Sequence, residues 1–191
     1  MARTTLMLYP GAGSAADHSS LVRIDHASTS TIDVKRHDFP YRREGRRAPD
    51  RAPKLMASIR ADLAGISRRR GPVVMGGRSM GGRMCSMVAA DVDDAGPVAR
   101  LAALVLISYP LHPPGAPESL RVDHLPSIDV PCLFVSGTRD PFATPDELER
   151  WTSTIPARVE HVWIDGGRHD LKGADQFLAD VVLRFVSSVV D

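Results

Sequence analysis

An apolar run leads directly into a glycine-rich turn at residues 72–82: Pro72-Val73-Val74-Met75-Gly76-Gly77-Arg78-Ser79-Met80-Gly81-Gly82. The first half, through Gly76, has the short β-branched composition of a buried strand. The second half contains the pattern Gly-x-Ser-x-Gly around Ser79, and a helix is predicted to begin near Gly82. A serine in a tight turn between strand and helix, with glycines where side chains would collide with neighbouring elements, is typical of an exposed nucleophile.

Further apolar runs resemble the one that precedes Ser79. They alternate with helical patterns, as expected of a parallel sheet covered by helices on both faces. We therefore predict an α/β fold with a doubly wound, mostly parallel sheet of about six strands, in a single domain over residues 1–191, a length that suits one domain. The predicted strands are Thr5–Tyr9, Thr31–Asp38, Pro72–Gly76, Leu101–Ser108, Val130–Ser136 and Arg158–Ile164.

Helices are predicted from apolar spacing and from one capping motif. Thr144 and Glu147 form a capping box around Pro145, which marks a helix start. The last helix is predicted for residues 173–190, whereas the proline- and charge-rich residues 40–50 and 109–128 are predicted to be loops. Two earlier helices bury the apolar residues Leu55, Ile59, Leu63 and Ile66, and Met84, Met87, Val88 and Val92.

The composition is that of a globular protein, with 43% hydrophobic residues, 25% charged residues and a net charge of +1. This balance does not suggest a disordered chain and provides no overall field for nucleic acid. The arginine clusters at residues 42–47 and 68–70 are interpreted as solvated surface, with contact to an anionic substrate or partner as the alternative. No segment approaches the ~20 apolar residues of a membrane span and no signal peptide is recognised, so we expect a cytoplasmic protein. Cys85 and Cys132 are expected to be buried thiols, without a metal site or a cofactor.

An acid and a histidine follow two later strands at fitting places. Asp140 stands just past the strand Val130–Ser136, where a carboxylate at the carboxyl edge of the sheet can orient an imidazole. His169 follows the last strand in a glycine-rich loop that could bring its ring over Ser79 as a general base. The other six histidines lie in helices, strands or a proline-rich loop, so His169 is the predicted partner of Ser79.

The loop after the first strand, Gly11-Ala12-Gly13-Ser14, could supply backbone N–H groups to a developing oxyanion. Ala12 is the favoured donor, beside Met80. In a doubly wound sheet whose second strand lies outside the first, the loops after strands one and three meet at the point where the strand order reverses. A plain glycine turn is the alternative interpretation of this loop.

Together these motifs resemble a compact branch of the α/β-hydrolase superfamily related to dienelactone hydrolases. The resemblance covers almost the whole chain and implies Ser79, Asp140 and His169 as nucleophile, acid and base, in a minimal fold without a cap domain. Dienelactone hydrolases proper use a cysteine where Ser79 stands, so their lactone substrate is not inherited. The resemblance rests on residues 9–13, 76–82, 136–140 and 166–169.

The favoured function is therefore hydrolysis of a small carboxylic ester or thioester through an acyl-enzyme on Ser79. Tyr109, Leu111 and Phe142 are predicted pocket walls because each follows a strand end on the site side, and Arg78 is a candidate for meeting an anionic group. The acyl group, the leaving group and the oligomeric state stay open, as does the choice among esterase, thioesterase, amidase and perhydrolase.

Two other functions compete with hydrolysis. Some relatives in this branch are non-enzymatic parts of larger assemblies, which keeps a scaffolding role open. The spacing of Gly11, Gly13 and Ala16 also fits a dinucleotide-binding fingerprint, with Asp38 near the end of the next strand for a ribose. A nucleotide-binding protein would leave Ser79, Asp140 and His169 without a role, and Pro10 is poorly suited to a phosphate-binding turn.

Overall fold

Six parallel strands form one sheet in the computed structural model of the protein, which describes residues 3–66, 71–90 and 101–190. The strand order is β2-β1-β3-β4-β5-β6. The predicted fold class is confirmed, and β2 lies outside β1 as expected. The strands are β1 (Thr4–Tyr9), β2 (Ile32–Arg36), β3 (Val73–Arg78), β4 (Leu101–Ile107), β5 (Cys132–Gly137) and β6 (Val159–Ile164).

In the described parts of the chain, α-helices lie between the strands and after the last one, and they cover the sheet on both sides. One apolar cluster lies under α3, α4 and α5, and another under α1 and α6. Successive β1 residues alternate between these clusters, with Leu6 and Leu8 on one face and Met7 and Tyr9 on the other. The helices are α1 (Ser19–Ala27), α2 (Pro40–Arg43), α3 (Ala52–Ala64), α4 (Met80–Ala90), α5 (Pro145–Thr152) and α6 (Asp175–Val190).

Several element boundaries differ from the predicted ones. β3 continues to Arg78, beyond the predicted end at Gly76, because Gly77 pairs with β1 and Arg78 pairs with β4. The predicted loop at residues 40–50 contains the single-turn helix α2, which begins at a proline. The predicted start of α5 is confirmed, because both hydrogen bonds of the Thr144–Glu147 capping box are present.

Some predicted positions fall outside the described residues, namely Val92 and the arginines at 68–70. Ile66 lies just beyond the end of α3 and packs against the core. None of the helices in residues 3–66, 71–90 and 101–190 has both the length and the apolar character that a membrane crossing requires.

Candidate active site

Ser79 occupies the turn between β3 and α4 in a left-handed backbone conformation, with φ of 48°. Its backbone N–H donates to the carbonyl oxygen of Ile107 at 2.8 Å, which attaches the turn to β4. A side chain at Gly77 would overlap the Tyr9 carbonyl, and a Cβ at Gly81 would lie 2.5 Å from the same oxygen. The two glycines of the motif therefore allow the first loop to approach Ser79 closely, as the sequence predicts.

A continuous chain of hydrogen bonds joins Ser79, His169 and Asp140. The Ser79 Oγ lies 2.8 Å from the His169 Nε2, and the His169 Nδ1 lies 2.8 Å and 3.0 Å from the two carboxylate oxygens of Asp140. The Asp140 side chain is only 1% exposed, and its Oδ1 also accepts a hydrogen bond from the Phe142 backbone N–H at 2.9 Å. With the carboxylate fixed in this way, the imidazole is oriented to exchange a proton with the serine hydroxyl.

The loop that carries His169 is attached to the loop that carries Asp140. The Arg139 N–H donates to the Gly167 carbonyl oxygen at 2.9 Å, and the backbones are so close that a Cβ on Gly137 would overlap Gly167. The Phe142 ring packs over the imidazole with 4.0 Å between ring centroids. Backbone contacts and ring packing together restrict where His169 can point.

The Arg78 side chain holds the loop that carries His169. It is 5% exposed, and its Nη2 donates to the carbonyl oxygens of His169 at 3.1 Å and Asp170 at 2.9 Å. Burial lowers the pKa of the Arg78 guanidinium, although nearby carboxylates oppose that change. Its donors are therefore directed at the backbone of the loop, and the predicted contact with an anionic substrate stays a prediction.

Two pockets meet at Ser79. The larger, of about 560 Å³, lies on the His169 side and is partly formed by residues 11–14; the smaller, of about 340 Å³, lies on the Met80 side. Ala12 and Phe142 line both pockets together with Ser79. A substrate whose reacting carbonyl lies over the serine could place one substituent in each pocket.

The predicted oxyanion donors, Ala12 and Met80, both lie beside Ser79. Met80 is the first residue of α4, so its amide belongs to the helix-start N–H groups that have no partner within the helix. The Ala12 carbonyl accepts a hydrogen bond from the Tyr41 hydroxyl at 2.9 Å, which holds this part of the loop. No backbone acceptor among the described residues takes up the Ala12 amide.

Two of the predicted pocket walls lie in the core instead. Tyr109 and Leu111 are fully buried and are absent from the linings of both pockets at Ser79. The chain bends at Ser108, with φ of 50°, and the Tyr109 hydroxyl lies within hydrogen-bonding distance of Ser86 (2.8 Å) and His124 (3.0 Å). The position of Tyr109 and Leu111 after a strand end did not indicate that the chain turns into the core there.

The smaller pocket contains cationic side chains that the motif analysis did not identify. Arg83 and Arg121 line it, with Pro110 at its edge. Arg83 could have been found from the sequence, because it stands four residues after Ser79 on a predicted helix and so faces the same way. Arg121 lies in the long loop after β4, where the spacing of apolar residues does not predict which side chains face the site.

The residues of the dinucleotide-binding alternative have a structural role. The Asp38 Oδ1 accepts a hydrogen bond from the Ala16 N–H at 2.8 Å, so the proposed ribose partner holds the first loop instead. The helix after this loop begins only at Ser19, where His18 provides the N-cap. The loop containing Gly11 and Gly13 therefore runs past Ser79 before any helix starts.

The two cysteines are free and buried. Burial raises the pKa of both thiols above the usual range, that of Cys132 to about 12, which disfavours the reactive thiolate. No group of three or more His, Cys, Asp or Glu side chains in the described parts of the chain is arranged to hold a metal ion.

A family model described as an alpha/beta hydrolase domain matches residues 2–178. The chain belongs to this α/β-hydrolase family. Solved structures agree with the family fold at low sequence identity. Est1E from Butyrivibrio proteoclasticus has a TM-score of 0.77 and 14% identity, covering 99% of this chain and 89% of Est1E.

Two further structures have similar dimensions. ClbQ, from the colibactin NRPS/PKS pathway, has a TM-score of 0.74 and 15% identity, with 98% of each chain covered. A putative α/β-superfamily hydrolase from Xanthomonas campestris pv. campestris has a TM-score of 0.70 and 19% identity, covering 97% of the present chain and 99% of that chain. At these identities the comparisons establish the fold alone.

Proposed function

We propose that this protein is a serine hydrolase that cleaves small carboxylic esters or thioesters through an acyl-enzyme on Ser79. The observation that carries this proposal is the hydrogen-bonded chain from Ser79 through His169 to the buried Asp140, at the junction of two pockets. Family membership adds support, since the fold presents a nucleophile at this turn.

In the first step, His169 Nε2 takes the proton of the Ser79 hydroxyl while the oxygen attacks the carbonyl carbon of the substrate. The Ala12 and Met80 amides stabilise the negative charge that develops on the carbonyl oxygen. Asp140 stabilises the imidazolium, which then protonates the leaving alcohol or thiol. In the second step, His169 takes a proton from water while the water oxygen attacks the acyl carbonyl carbon. The bond to the Ser79 Oγ then breaks, His169 returns the proton to that oxygen, and the carboxylic acid leaves.

The segment between β4 and β5 favours small substrates. In larger relatives a cap can be inserted there, but here residues 108–131 fold back into the core through Tyr109, Leu111 and Leu125. The cleft is therefore open, which suits short acyl chains in solution. A specific relationship to dienelactone hydrolases is part of this proposal, with Ser79 replacing their cysteine.

Active-site labelling tests the proposed nucleophile. A fluorescent fluorophosphonate should label the purified protein at Ser79, located by peptide mass spectrometry, and Ser79→Ala should abolish labelling. Ser58→Ala is the matched control, because Ser58 lies on α3 and its hydroxyl donates to the Leu55 carbonyl oxygen. This variant should be labelled like the wild-type protein.

Turnover is the second measurement on the same variants. Ser79→Ala should reduce kcat for a short ester by ~10⁴-fold or more, because removal of a triad nucleophile leaves only binding and oxyanion stabilisation. Unchanged turnover in this variant, or a folded wild-type protein that is never labelled, would contradict the proposal and favour a scaffolding role.

A further inference from the structure

Two arginines face the smaller pocket beside Ser79. Arg83 lies one helical turn after the serine, and its backbone N–H donates to the Ser79 carbonyl oxygen at 3.0 Å. Arg121 enters the same pocket from the loop after β4, where its N–H donates to the Leu111 carbonyl oxygen at 2.8 Å. Both arginines therefore line the pocket that Ser79 also lines.

Among the residues that the structure describes, Arg83 has no carboxylate partner. Its Nε is buried and has no hydrogen-bond acceptor, and no carboxylate of the described residues forms an ion pair with Arg83 or Arg121. Burial lowers the pKa of the Arg83 guanidinium; Tyr109 opposes this shift and the like charge of Arg121 adds to it. Burial and the like charge of Arg121 both make the Arg83 cation less stable here than in water.

The acidic residue in the same pocket is already neutralised. Asp50 lies 2.9 Å from Arg46 and 3.2 Å from Lys54, and Glu44 contacts the same two cations, so these four side chains balance in charge. Asp50 is therefore not a counter-ion of Arg83 or Arg121. The pocket keeps a net positive charge.

The arginines of the larger pocket differ from Arg83 in this respect. Arg78 donates to two backbone carbonyls, and Arg168 is exposed to water. Neither has a buried, unused donor. Within the part of the cleft that the structure describes, the unsatisfied positive charge is thus concentrated on the Met80 side of Ser79.

A guanidinium with a buried, unpartnered N–H is costly, and an anionic oxygen group relieves that cost through strong charge-assisted hydrogen bonds. We propose that Arg83 and Arg121 bind an anionic group of the substrate, a carboxylate or a phosphate-type group, close to the carbonyl that Ser79 attacks. This inference rests on the proposed hydrolase function and specifies its substrate class.

The position of Arg83 limits the length of that substrate. Arg83 follows Ser79 by one helical turn and lines the same pocket of about 340 Å³, so we expect a short linker between the anion and the reacting carbonyl. The apolar side chains of Leu55 and Met84 line the same pocket and suit a short methylene linker. A half-ester of a short dicarboxylic acid has this arrangement.

Three ethyl esters of matched length test the substrate class: ethyl pentanoate, monoethyl succinate and ethyl 3-phosphonopropanoate. We expect at least one anionic ester to exceed the neutral one in kcat/KM by about 10-fold or more, and the better anion identifies carboxylate or phosphate chemistry. Arg83→Gln and Arg121→Gln should each reduce this preference by about 10-fold, the effect of losing one hydrogen bond to a charged group. Thermal unfolding verifies that both variants fold.

Two control variants accompany these measurements. Arg23→Gln, an exposed arginine on α1, should keep both the basal activity and the preference. Arg168→Gln tests the other pocket: a preference that depends on Arg168 and not on Arg83 or Arg121 would overturn the proposal.

Binding to the Ser79→Ala variant separates this inference from the proposed function. Calorimetry should detect monoethyl succinate or ethyl 3-phosphonopropanoate, with binding weakened about 10-fold by Arg83→Gln in the same background. Arg83-dependent binding without labelling or turnover would retain the anion site and reject the hydrolase. Hydrolysis of all three esters without preference, together with no Arg83-dependent binding, would reject the anion site and retain the hydrolase.

Discussion

Arg78 and Ser79 are adjacent in the chain but act on different parts of the site. Ser79 presents its hydroxyl to His169, whereas Arg78 extends beneath the loop and holds the carbonyls of His169 and Asp170. Arg78 therefore holds the loop that places His169 beside Ser79. This arrangement makes the placement of the imidazole depend on a side chain that has no contact with the reacting atoms.

Replacing Arg78 tests this positioning role. Arg78→Met should lower kcat by about 10- to 100-fold, because a displacement of the order of 1 Å at a reacting group costs that much. KM for a neutral ester should change little, and Arg78→Lys should restore part of kcat by supplying one donor. Equal losses of kcat in the Met and Lys variants, or a change confined to KM, would contradict the positioning role.

Individual residues differed in how far the sequence revealed them. Ser79, Asp140 and His169 could be selected because each occupies a motif or follows a strand, and the structure brings the three together. The position of Tyr109 depends on the bend at Ser108, and no local pattern encodes that bend. Arg121 depends on the path of a long loop, which only tertiary contacts determine.

At the scale of elements, the contact between the first loop and the start of α4 determines the geometry around Ser79. Gly81 lies against the Tyr9 and Pro10 carbonyls, at 2.5 Å and 2.6 Å from the position that a Cβ would occupy. Backbone atoms cannot move aside as a flexible side chain can. The strand, the loop and the helix therefore keep their relative positions only with glycine at this place.

A pair of glycine variants measures this constraint. Gly81→Ala should lower the free energy of unfolding by about 2–3 kcal/mol, since the methyl group overpacks two backbone carbonyls. Gly13→Ala is the control, because a Cβ there has no neighbour within 4 Å, and it should be neutral or slightly stabilising. Urea denaturation compares the two, and similar losses in both would show that the close approach does not matter.

Helix and strand boundaries were predictable where the residues that determine them are close together in the sequence. The capping box of α5 lies within four residues, so its start was assigned correctly. The end of β3 was placed too early because the glycines of the motif have low strand propensity, while pairing with two neighbouring strands extends the strand to Arg78. Pairing with neighbouring strands cannot be predicted from the composition of the segment itself.

In the whole molecule, buried polar groups make stability sensitive to acid. The clearest case is His124, which lies 2.9 Å from the Ser86 hydroxyl and 3.0 Å from the Tyr109 hydroxyl. Burial, assisted by the charge of Arg83, lowers the pKa of His124 to about 4. Since an unfolded histidine has a pKa near 6.5, the unfolded chain binds a proton here before the folded protein does.

The free energy of unfolding should therefore fall as pH is lowered from about 6.5 to about 4. His124 contributes a slope of at most about 1.4 kcal/mol per pH unit, and its stabilising effect is complete above pH 6.5. Denaturation at several pH values should show a shallower acid slope in His124→Gln, which retains hydrogen-bonding capacity without titrating. An unchanged slope in that variant would assign the acid sensitivity to other groups.

His169 reaches Ser79 from a position 90 residues further along the chain. Ribosomes add about 5–20 residues per second, so the serine emerges roughly 5 to 20 s before its base. During this interval β1 and β3 can pair, yet the hydroxyl lacks a proton acceptor. In the proposed mechanism, a nascent chain of this architecture therefore has no general base for Ser79 until the segment after the last strand has been made.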